Sequence, residues 1–263
     1  VSALRVAVVQ HDIAWESRDA TLAQLGPKVA AATAAGARLV VLSEMFAVGF
    51  SMRTDVTAEP TDGPTTQWLR DRAREHDTWI CGTVPVRSDD NPLPYNTFVL
   101  AAPDGALHSY RKIHPFTYGG ERAVFAAGQE VVTVEVDGVR VTPFVCYDLR
   151  FADVFWQAAA DTDLYCVSAN WPDTRRRHWS ALLVARAIEN QAFVAGCNRV
   201  GSGGKLAYAG DSAVISPMGD VLASAAEVET TLLVDVDPAR VAEVRERFPF
   251  ATDRRRPTGA QHV

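Results

Sequence analysis

Val139-Arg140-Val141-Thr142-Pro143-Phe144-Val145-Cys146-Tyr147-Asp148-Leu149-Arg150-Phe151 reads as a buried strand running into a helix. The apolar run stops at Cys146, and a helical pattern over Val154–Ala160 follows. Upstream, Asp137-Gly138 is a strong hairpin signal between this strand and a partner over Val131–Val136. Downstream, Leu164–Ser168 reads as the next strand, Trp179–Gln191 as a helix and Phe193–Asn198 as another strand. Strands that alternate with helices in this way predict an α/β fold.

The same alternation fills the first half. Arg5–Gln10 is a first strand, and Asp19–Ala35 is an Ala-rich helix with an expected irregularity at Gly26-Pro27. Leu39–Leu42 is a buried strand delivering Ser43-Glu44 at its end. Thr65–His76 is a helix opened by Gly63-Pro64. Trp79–Val84, Asn96–Ala102 and Leu107–Lys112 read as consecutive strands, the last pair joined at Asp104-Gly105. Gly201-Ser202-Gly203-Gly204 reads as a flexible loop, Ser212–Ser216 and Val221–Ser224 as strands, and Thr231–Val236 as the last strand. No linker divides the chain, so residues 1–263 are expected to form one domain, with a polar tail from about 249 loosely packed or lying at a subunit interface.

Composition narrows the function. The chain has 263 residues, 48% hydrophobic and 22% charged, which is enough for a large core. Its net charge of −6 argues against a nucleic-acid partner. No apolar run approaches the roughly 18 residues of a membrane span. A strand-like segment begins almost at once, so no signal peptide is expected. The four cysteines, Cys81, Cys146, Cys166 and Cys197, show no paired spacing. They read as free thiols of a reducing cytoplasm.

Cys146 differs from the other three. At a strand-to-helix junction a thiol is raised out of the core and faces the positive end of a helix. Both effects favour the thiolate, the nucleophilic form. Such a nucleophile needs a base and a group that holds the oxyanion. None of the six histidines (His11, His76, His108, His114, His178 and His262) stands in a context that marks it as the partner. A buried carboxylate can serve instead. Glu44, at the end of a buried strand and before Met45-Phe46, is the best placed. Lys112, in Tyr110-Arg111-Lys112-Ile113-His114, is the best cation, because it sits among aromatic and apolar residues rather than in a charge run. Each of these two, alone, is more often a surface or salt-bridged residue.

Together the segments Leu42-Ser43-Glu44-Met45-Phe46, Tyr110-Arg111-Lys112-Ile113-His114 and Cys146-Tyr147-Asp148-Leu149-Arg150-Phe151 resemble, in order, the Glu-Lys-Cys motifs of the nitrilase, or carbon–nitrogen hydrolase, superfamily. The resemblance runs from Val6 to about Phe250. It implies a four-layer α-β-β-α sandwich that pairs with a second subunit. It implies Cys146 as nucleophile, Glu44 as general base and acid, and Lys112 as oxyanion stabiliser. Glu121, in Gly119-Gly120-Glu121-Arg122, matches a second glutamate of the family that orients the lysine or water, and the Tyr147 N–H would complete the oxyanion hole. No metal or organic cofactor is implied.

Asn170-Trp171-Pro172, Ala185–Gln191, Cys197–Gly201 and Tyr208–Ser212 are similar to the omega-amidase-like branch, which hydrolyses monoamides of 2-oxo dicarboxylic acids. Other branches remain open: N-carbamoyl amino acid amidohydrolases, deaminated-glutathione-type amidases and nitrilases. A catalytically silent binding protein is the reading of another class. The chain departs from the pattern at Ser43 and Ala152, where proline is usual, and in Pro115 and the loop Thr117–Gly120. Asn170, Trp171 and Arg175 are candidates for the substrate wall. One of Arg175, Arg176 and Arg177 is expected to bind a substrate carboxylate, the competing reading being a solvated basic run. Arg150 is expected to form a structural ion pair, and Asp148 to cap a helix.

Overall fold

The computed structural model describes residues 3–255. Its first half contains β1 (Leu4–Gln10), α1 (Arg18–Ala34), β2 (Leu39–Val41), α2 (Thr54–Thr57), β3 (Glu59–Pro60), α3 (Pro64–Glu75), β4 (Trp79–Ser88), β5 (Asn91–Ala101) and β6 (Leu107–Arg111). Its second half contains β7 (Val134–Val136), β8 (Val139–Val145), α4 (Ala152–Ala158), β9 (Leu164–Ala169), α5 (Arg176–Asn190), β10 (Phe193–Asn198), β11 (Val200–Gly203), β12 (Leu206–Ile215), β13 (Val221–Ala226), β14 (Thr230–Val236) and α6 (Pro238–Arg247).

One sheet has the order β14-β1-β2-β4-β5-β6, with β3 beside β4. The other has the order β11-β12-β10-β9-β8-β7, with β13 beside β12. Period-two alternation decides the layers. In β1 and β2, Val6, Val8, Leu39 and Val41 point toward the second sheet and join one core with Val141, Cys166 and Ala195. Ala7, Val9 and Val40 point the other way, onto Leu25 and Val29 of α1 and Leu69 of α3. On the far side, Phe155 of α4 and Trp179, Leu183 and Ala187 of α5 cover the second sheet. The result is the α-β-β-α order of layers.

Both sheets have a parallel centre, made of β1, β2 and β4 in one and β8, β9 and β10 in the other. β6 is antiparallel to β5, which is antiparallel to β4, so β6 runs with the parallel strands. Glu44, Lys112, Cys146 and Asn170 therefore all follow the carboxyl ends of strands that run in register with a parallel centre. Sites in α/β sheets form at such ends.

Two expectations need correction, at Pro27 and at 201–204, and the end of the chain adds a helix and contacts of the tail. α1 passes through Pro27 without interruption, because its stripe of Thr21, Leu25, Val29 and Ala32 is buried and only one N–H is lost at the proline. The segment 201–204 is not a loop: β11 and β12 form a hairpin across Gly204-Lys205, both at positive φ (55° and 69°), which suits a two-residue turn. β14 is the last strand, but α6 follows it, started by Asp237, whose side chain accepts the Ala239 N–H at 2.9 Å, and by Pro238 in the first turn. The tail is held as far as it is described. Arg254 bonds the Glu189 carbonyl and Asn190 Oδ1 and lies 4.9 Å from the centre of the Trp156 ring. Arg256 and His262 lie outside the described residues.

Candidate active site

Glu44 and Lys112 meet in a fully buried cluster. Lys112 Nζ donates to Glu44 Oε1 at 2.8 Å and to Glu121 Oε2 at 2.8 Å. The three residues are at most 1% exposed. Glu121 is brought there by the left-handed Gly120 (φ 79°) and by the Phe116 N–H, which donates to its Oε2 at 2.6 Å. Glu44 is gripped from the second sheet: Asn170 gives its backbone N–H to Oε2 at 2.9 Å and its Nδ2 to the Glu44 carbonyl at 2.5 Å.

Asn96, in the middle of β5, was not singled out from the sequence. Its Nδ2 donates to Glu44 Oε1 at 2.8 Å and to Glu121 Oε1 at 2.9 Å, which holds the two carboxylates together. The available signal was its setting, Tyr95-Asn96-Thr97-Phe98-Val99-Leu100, since asparagine is depleted in strands.

Cys146 stands at the turn out of β8 with φ of +43°. A non-glycine residue in this region costs on the order of 1–3 kcal/mol and persists where its surroundings over-determine it. Asp148 supplies much of that restraint. It is fully buried, and its carboxylate accepts the Val145 N–H (3.0 Å), the Tyr110 hydroxyl (2.8 Å) and the His114 N–H (2.9 Å). It thus caps the turn from the third position, reaching back over the cysteine, rather than as the N-cap itself.

The sulfur opens into a cavity of about 410 Å³. Phe116, Tyr147, Trp171, Arg150, Arg175 and Tyr208 form much of its wall. Burial pushes the Tyr208 hydroxyl up to about 12. Among the described residues no group of three or more His, Cys, Asp or Glu side chains is placed to hold a metal ion. None of the described histidines hydrogen-bonds Cys146. His11 is buried against the Val9 and Phe46 carbonyls, and His114 stacks on Phe151 and bonds Asp148.

A carbon–nitrogen hydrolase family model matches residues 5–246. The chain belongs to the carbon–nitrogen hydrolase family. It is 39% identical to omega-amidase YafV of Escherichia coli K12 over 252 residues, covering 95% of this chain and 96% of that protein. It is 37% identical to a 2-oxoglutaramate amidase of Bacillus subtilis strain 168, covering 84% and 86%. Among solved structures it resembles XC1258 of Xanthomonas campestris, a CN-hydrolase superfamily protein with an arsenic adduct in its active site. That likeness has a TM-score of 0.92, 38% identity and coverage of 100% and 99%. The chain is an amide hydrolase of this family.

In this carbon–nitrogen hydrolase the candidate residues are distributed unevenly. Glu44, Lys112, Glu121 and Cys146 share one neighbourhood, and the charges of all three partners act on the Cys146 thiol. Tyr147 lines the cavity, and as the second residue of the Cys146–Arg150 turn its N–H has no acceptor within that turn. Asn170 also lines the cavity; its backbone N–H and Nδ2 bond Glu44, and the same backbone N–H acts on the Cys146 sulfur, which lowers the thiol's value. These bonds fix the position of the Glu44 carboxylate. Trp171 is a wall residue, with Nε1 donating to the Arg175 carbonyl at 2.9 Å. Of the three consecutive arginines, Arg175 lines the cavity, while Arg176 is consumed by Asp211 and Glu227, both at 2.8 Å. Arg150 makes no ion pair among the described residues and instead lines the cavity, contrary to the expectation for it.

The surroundings of Cys146 oppose the bias toward thiolate expected from its position. Burial pushes the Cys146 thiol well above its ordinary range, and the Glu44 carboxylate pushes it further. Lys112 opposes this, and Glu121 adds to it. The local charge of two carboxylates against one ammonium is negative, and a five-residue turn offers too little dipole to reverse it. The thiol is therefore protonated at neutral pH. Thiolate absorbance near 240 nm, taken as the difference between wild type and Cys146→Ala, is expected to stay flat from pH 6 to about 8. A rise centred below pH 8 would contradict this electrostatic account.

Proposed function

We propose that the chain is an omega-amidase-like amidase, acting on the side-chain amide of a 2-oxo dicarboxylic acid monoamide through a thioester on Cys146. The observation that carries the reading is the buried ammonium of Lys112 shared by Glu44 and Glu121 in the neighbourhood of Cys146. Lys112 Nζ reaches one oxygen of Glu44 at 2.8 Å and both oxygens of Glu121 at 2.8 and 3.1 Å. One N–H can serve both Glu121 oxygens, and the weaker contact is the one released to an oxygen that becomes negative. Glu44 accepts three hydrogen bonds, from Asn96, Lys112 and Asn170. A carboxylate has about four acceptor sites, so one remains for a proton.

The steps follow from this inventory. The thiol has to lose its proton as it attacks, and Glu44 takes it. The sulfur bonds to the amide carbon, and the carbonyl oxygen gathers negative charge between the Lys112 ammonium and the Tyr147 N–H. Each donor of this kind is worth roughly 3–4 kcal/mol of barrier. Glu44 then gives its proton to the leaving nitrogen, and ammonia departs. Water enters, Glu44 takes one of its protons and hydroxide adds to the thioester; the C–S bond then breaks, the acid is released and Glu44 returns the proton to the sulfur, restoring the thiol. Two easier steps replace one hard hydrolysis.

The names of the E. coli and B. subtilis relatives support the 2-oxo acid substrate. We take residues 1–263 as one catalytic unit, a reading supported by the pairing of β1 with β14 and by the extent of the family match. We read it as half of a homodimer in a reducing cytoplasm. Exposed Trp156, Ile188, Phe248 and Phe250 and the four free cysteines support these two readings. The test is ammonia release from 2-oxoglutaramate, compared with an N-carbamoyl amino acid, deaminated glutathione and an aliphatic nitrile. We expect kcat/KM to be at least tenfold higher for 2-oxoglutaramate. A preference for any of the others transfers the assignment to that branch. If Cys146 takes up iodoacetamide no faster than Cys81, Cys166 and Cys197 and no substrate turns over, the silent binding protein is the better reading.

A further inference from the structure

The cavity extends outward from Cys146 into a half that the chemistry leaves unused. Trp15, Phe50, Met52, Tyr118 and Leu206 line it, on the turn after β1, the segment after Glu44, the turn at 117–119 and the start of β12. All five are partly or well exposed, Tyr118 at 89% and Leu206 at 43%. Apolar and aromatic side chains from four separate segments thus converge on one opening, a surface that gains by being covered. Trp15 is held rigidly in it. A Cβ on Gly49, Gly203 or Gly204 would lie 2.9, 2.6 or 2.8 Å from its ring, so the indole rests directly on bare backbone. Glu16 ties the same turn to the segment of Phe50 and Met52. Its N–H donates to the Val48 carbonyl at 2.9 Å, and its carboxylate accepts from Ser51 Oγ at 2.6 Å and Arg53 Nη1 at 2.8 Å. The Phe50 ring reaches inward to 5.4 Å from Lys112 Nζ, so this half is continuous with the reaction centre.

Burial fixes which end of a substrate lies there. Glu44, the group that protonates the leaving nitrogen in the proposed mechanism, is fully buried and is not part of the cavity wall. The nitrogen must therefore point inward and the acyl part outward, toward the mouth. A cavity of about 410 Å³ falls in the range of roughly 300–1,000 Å³ that takes drug-sized ligands, and a five-carbon dicarboxylic acid monoamide occupies only part of it. We propose that the outer half is an apolar acyl subsite, that carboxamides of medium-chain and aryl-substituted acids are a further substrate class, and that Trp15 is the specificity-determining residue for them. The reaction is unchanged: a primary amide and water give a carboxylate and ammonium. Arg150 and Arg175 are partly exposed, so they keep their hydration when an uncharged chain enters. This inference rests on the roles proposed for Cys146 and Glu44 and is independent of the 2-oxo acid substrate.

The experiment follows ammonia release by the full chain from butanamide, hexanamide, octanamide and 4-phenylbutanamide, with 2-oxoglutaramate run alongside. In wild type kcat/KM should rise about threefold per methylene, or roughly 80-fold from butanamide to octanamide, with 4-phenylbutanamide near the top. In Trp15→Ala the ratio of octanamide to butanamide should fall about 20-fold, and Trp15→Phe should restore part of it. Gly203→Ala retains the indole but drives a Cβ against it, and should lower the same ratio. A wild-type series that is flat or falls with length overturns the subsite, as does a ratio unchanged in Trp15→Ala. Failure to hydrolyse any uncharged amide overturns the substrate class. The two readings fail separately. Turnover of 2-oxoglutaramate beside a flat series removes the subsite and leaves the omega-amidase-like reading in place. A rising series without turnover of 2-oxoglutaramate removes the 2-oxo acid substrate and keeps the subsite. If no amide of either kind turns over, both are wrong. Should Trp15→Ala melt far below wild type, the wild-type series and Trp15→Phe decide.

Discussion

Cys146→Ala is expected to lower kcat on the preferred amide by about five orders of magnitude or more, to the level at which binding and oxyanion donors act on water alone. The side chain is small, and its removal leaves the Asp148 bonds to Val145, Tyr110 and His114 in place. The fold therefore survives, and the thermal midpoint stays within a few degrees. Alanine at φ +43° carries strain as cysteine does, so the turn does not relax in favour of either residue. Single-turnover mixing with mass spectrometry provides the second check. Wild type should show an acyl adduct on Cys146 and the variant none. Residual activity above about 1% of wild type, with no adduct in wild type, would remove the thioester route.

Lys112→Met is the second large effect, and it acts on both rate and stability. Methionine keeps the length and the packing against Phe50, whose ring centre is 5.4 Å from Nζ. What disappears is the charge. Burial works against that charge, but the Glu121 and Glu44 carboxylates outweigh it and hold Lys112 protonated. Without it, Glu44 and Glu121 remain buried with only Asn96 between them. Breaking a buried pair by removing one partner costs about 3–5 kcal/mol. Loss of an oxyanion donor lowers kcat by roughly 10²–10³-fold. Burial already raises Glu121, with Lys112 opposing and Glu44 adding to the rise. Removing the lysine raises it further. A carboxyl whose folded value is raised binds its proton more tightly when folded, so stability falls as pH rises through that value. The deficit of Lys112→Met against wild type should therefore be large at pH 8 and shrink toward pH 5, measured by denaturant unfolding at each pH. A deficit that does not change with pH would mean that Glu44 and Glu121 do not share the lost charge.

Much of this site was legible as local pattern. A strand ending at Cys146, a buried strand ending before Glu44 and a lysine among aromatic residues each mark a sheet end, and three such ends in family order identify the cluster. What pattern could not convey was the sum of charges in three dimensions. The position of Cys146 suggested a thiolate, yet the two carboxylates that suppress it come from Glu44 and Glu121, 102 and 25 residues away in the chain. Arg150 was misread for a related reason. Its helix context fits an ion pair, and only the fold shows that the nearest surfaces are Trp171 and His178. Asn96 is the opposite case: the residue was visibly out of place in a strand, but its two partners lie on different segments. The hairpin at 200–206 looked like a loop because glycine weakens strand propensity, whereas the positive φ at Gly204-Lys205 is what a tight reversal requires.

The pairing of β1 with β14 has a consequence for how the protein is made. Residues 4–10 leave the ribosome long before their partners, 230–236. Until then one side of β1 presents unpaired peptide groups to its surroundings, a template on which nascent chains can stick together. Glu44 and Lys112 are synthesised well before the sheet is closed, and Cys146 belongs to the other sheet. Closure of the first sheet therefore waits for the second sheet to be synthesised. Slow translation, or a shortage of chaperones that shield an open strand, should reduce the yield of active enzyme before it changes any rate constant.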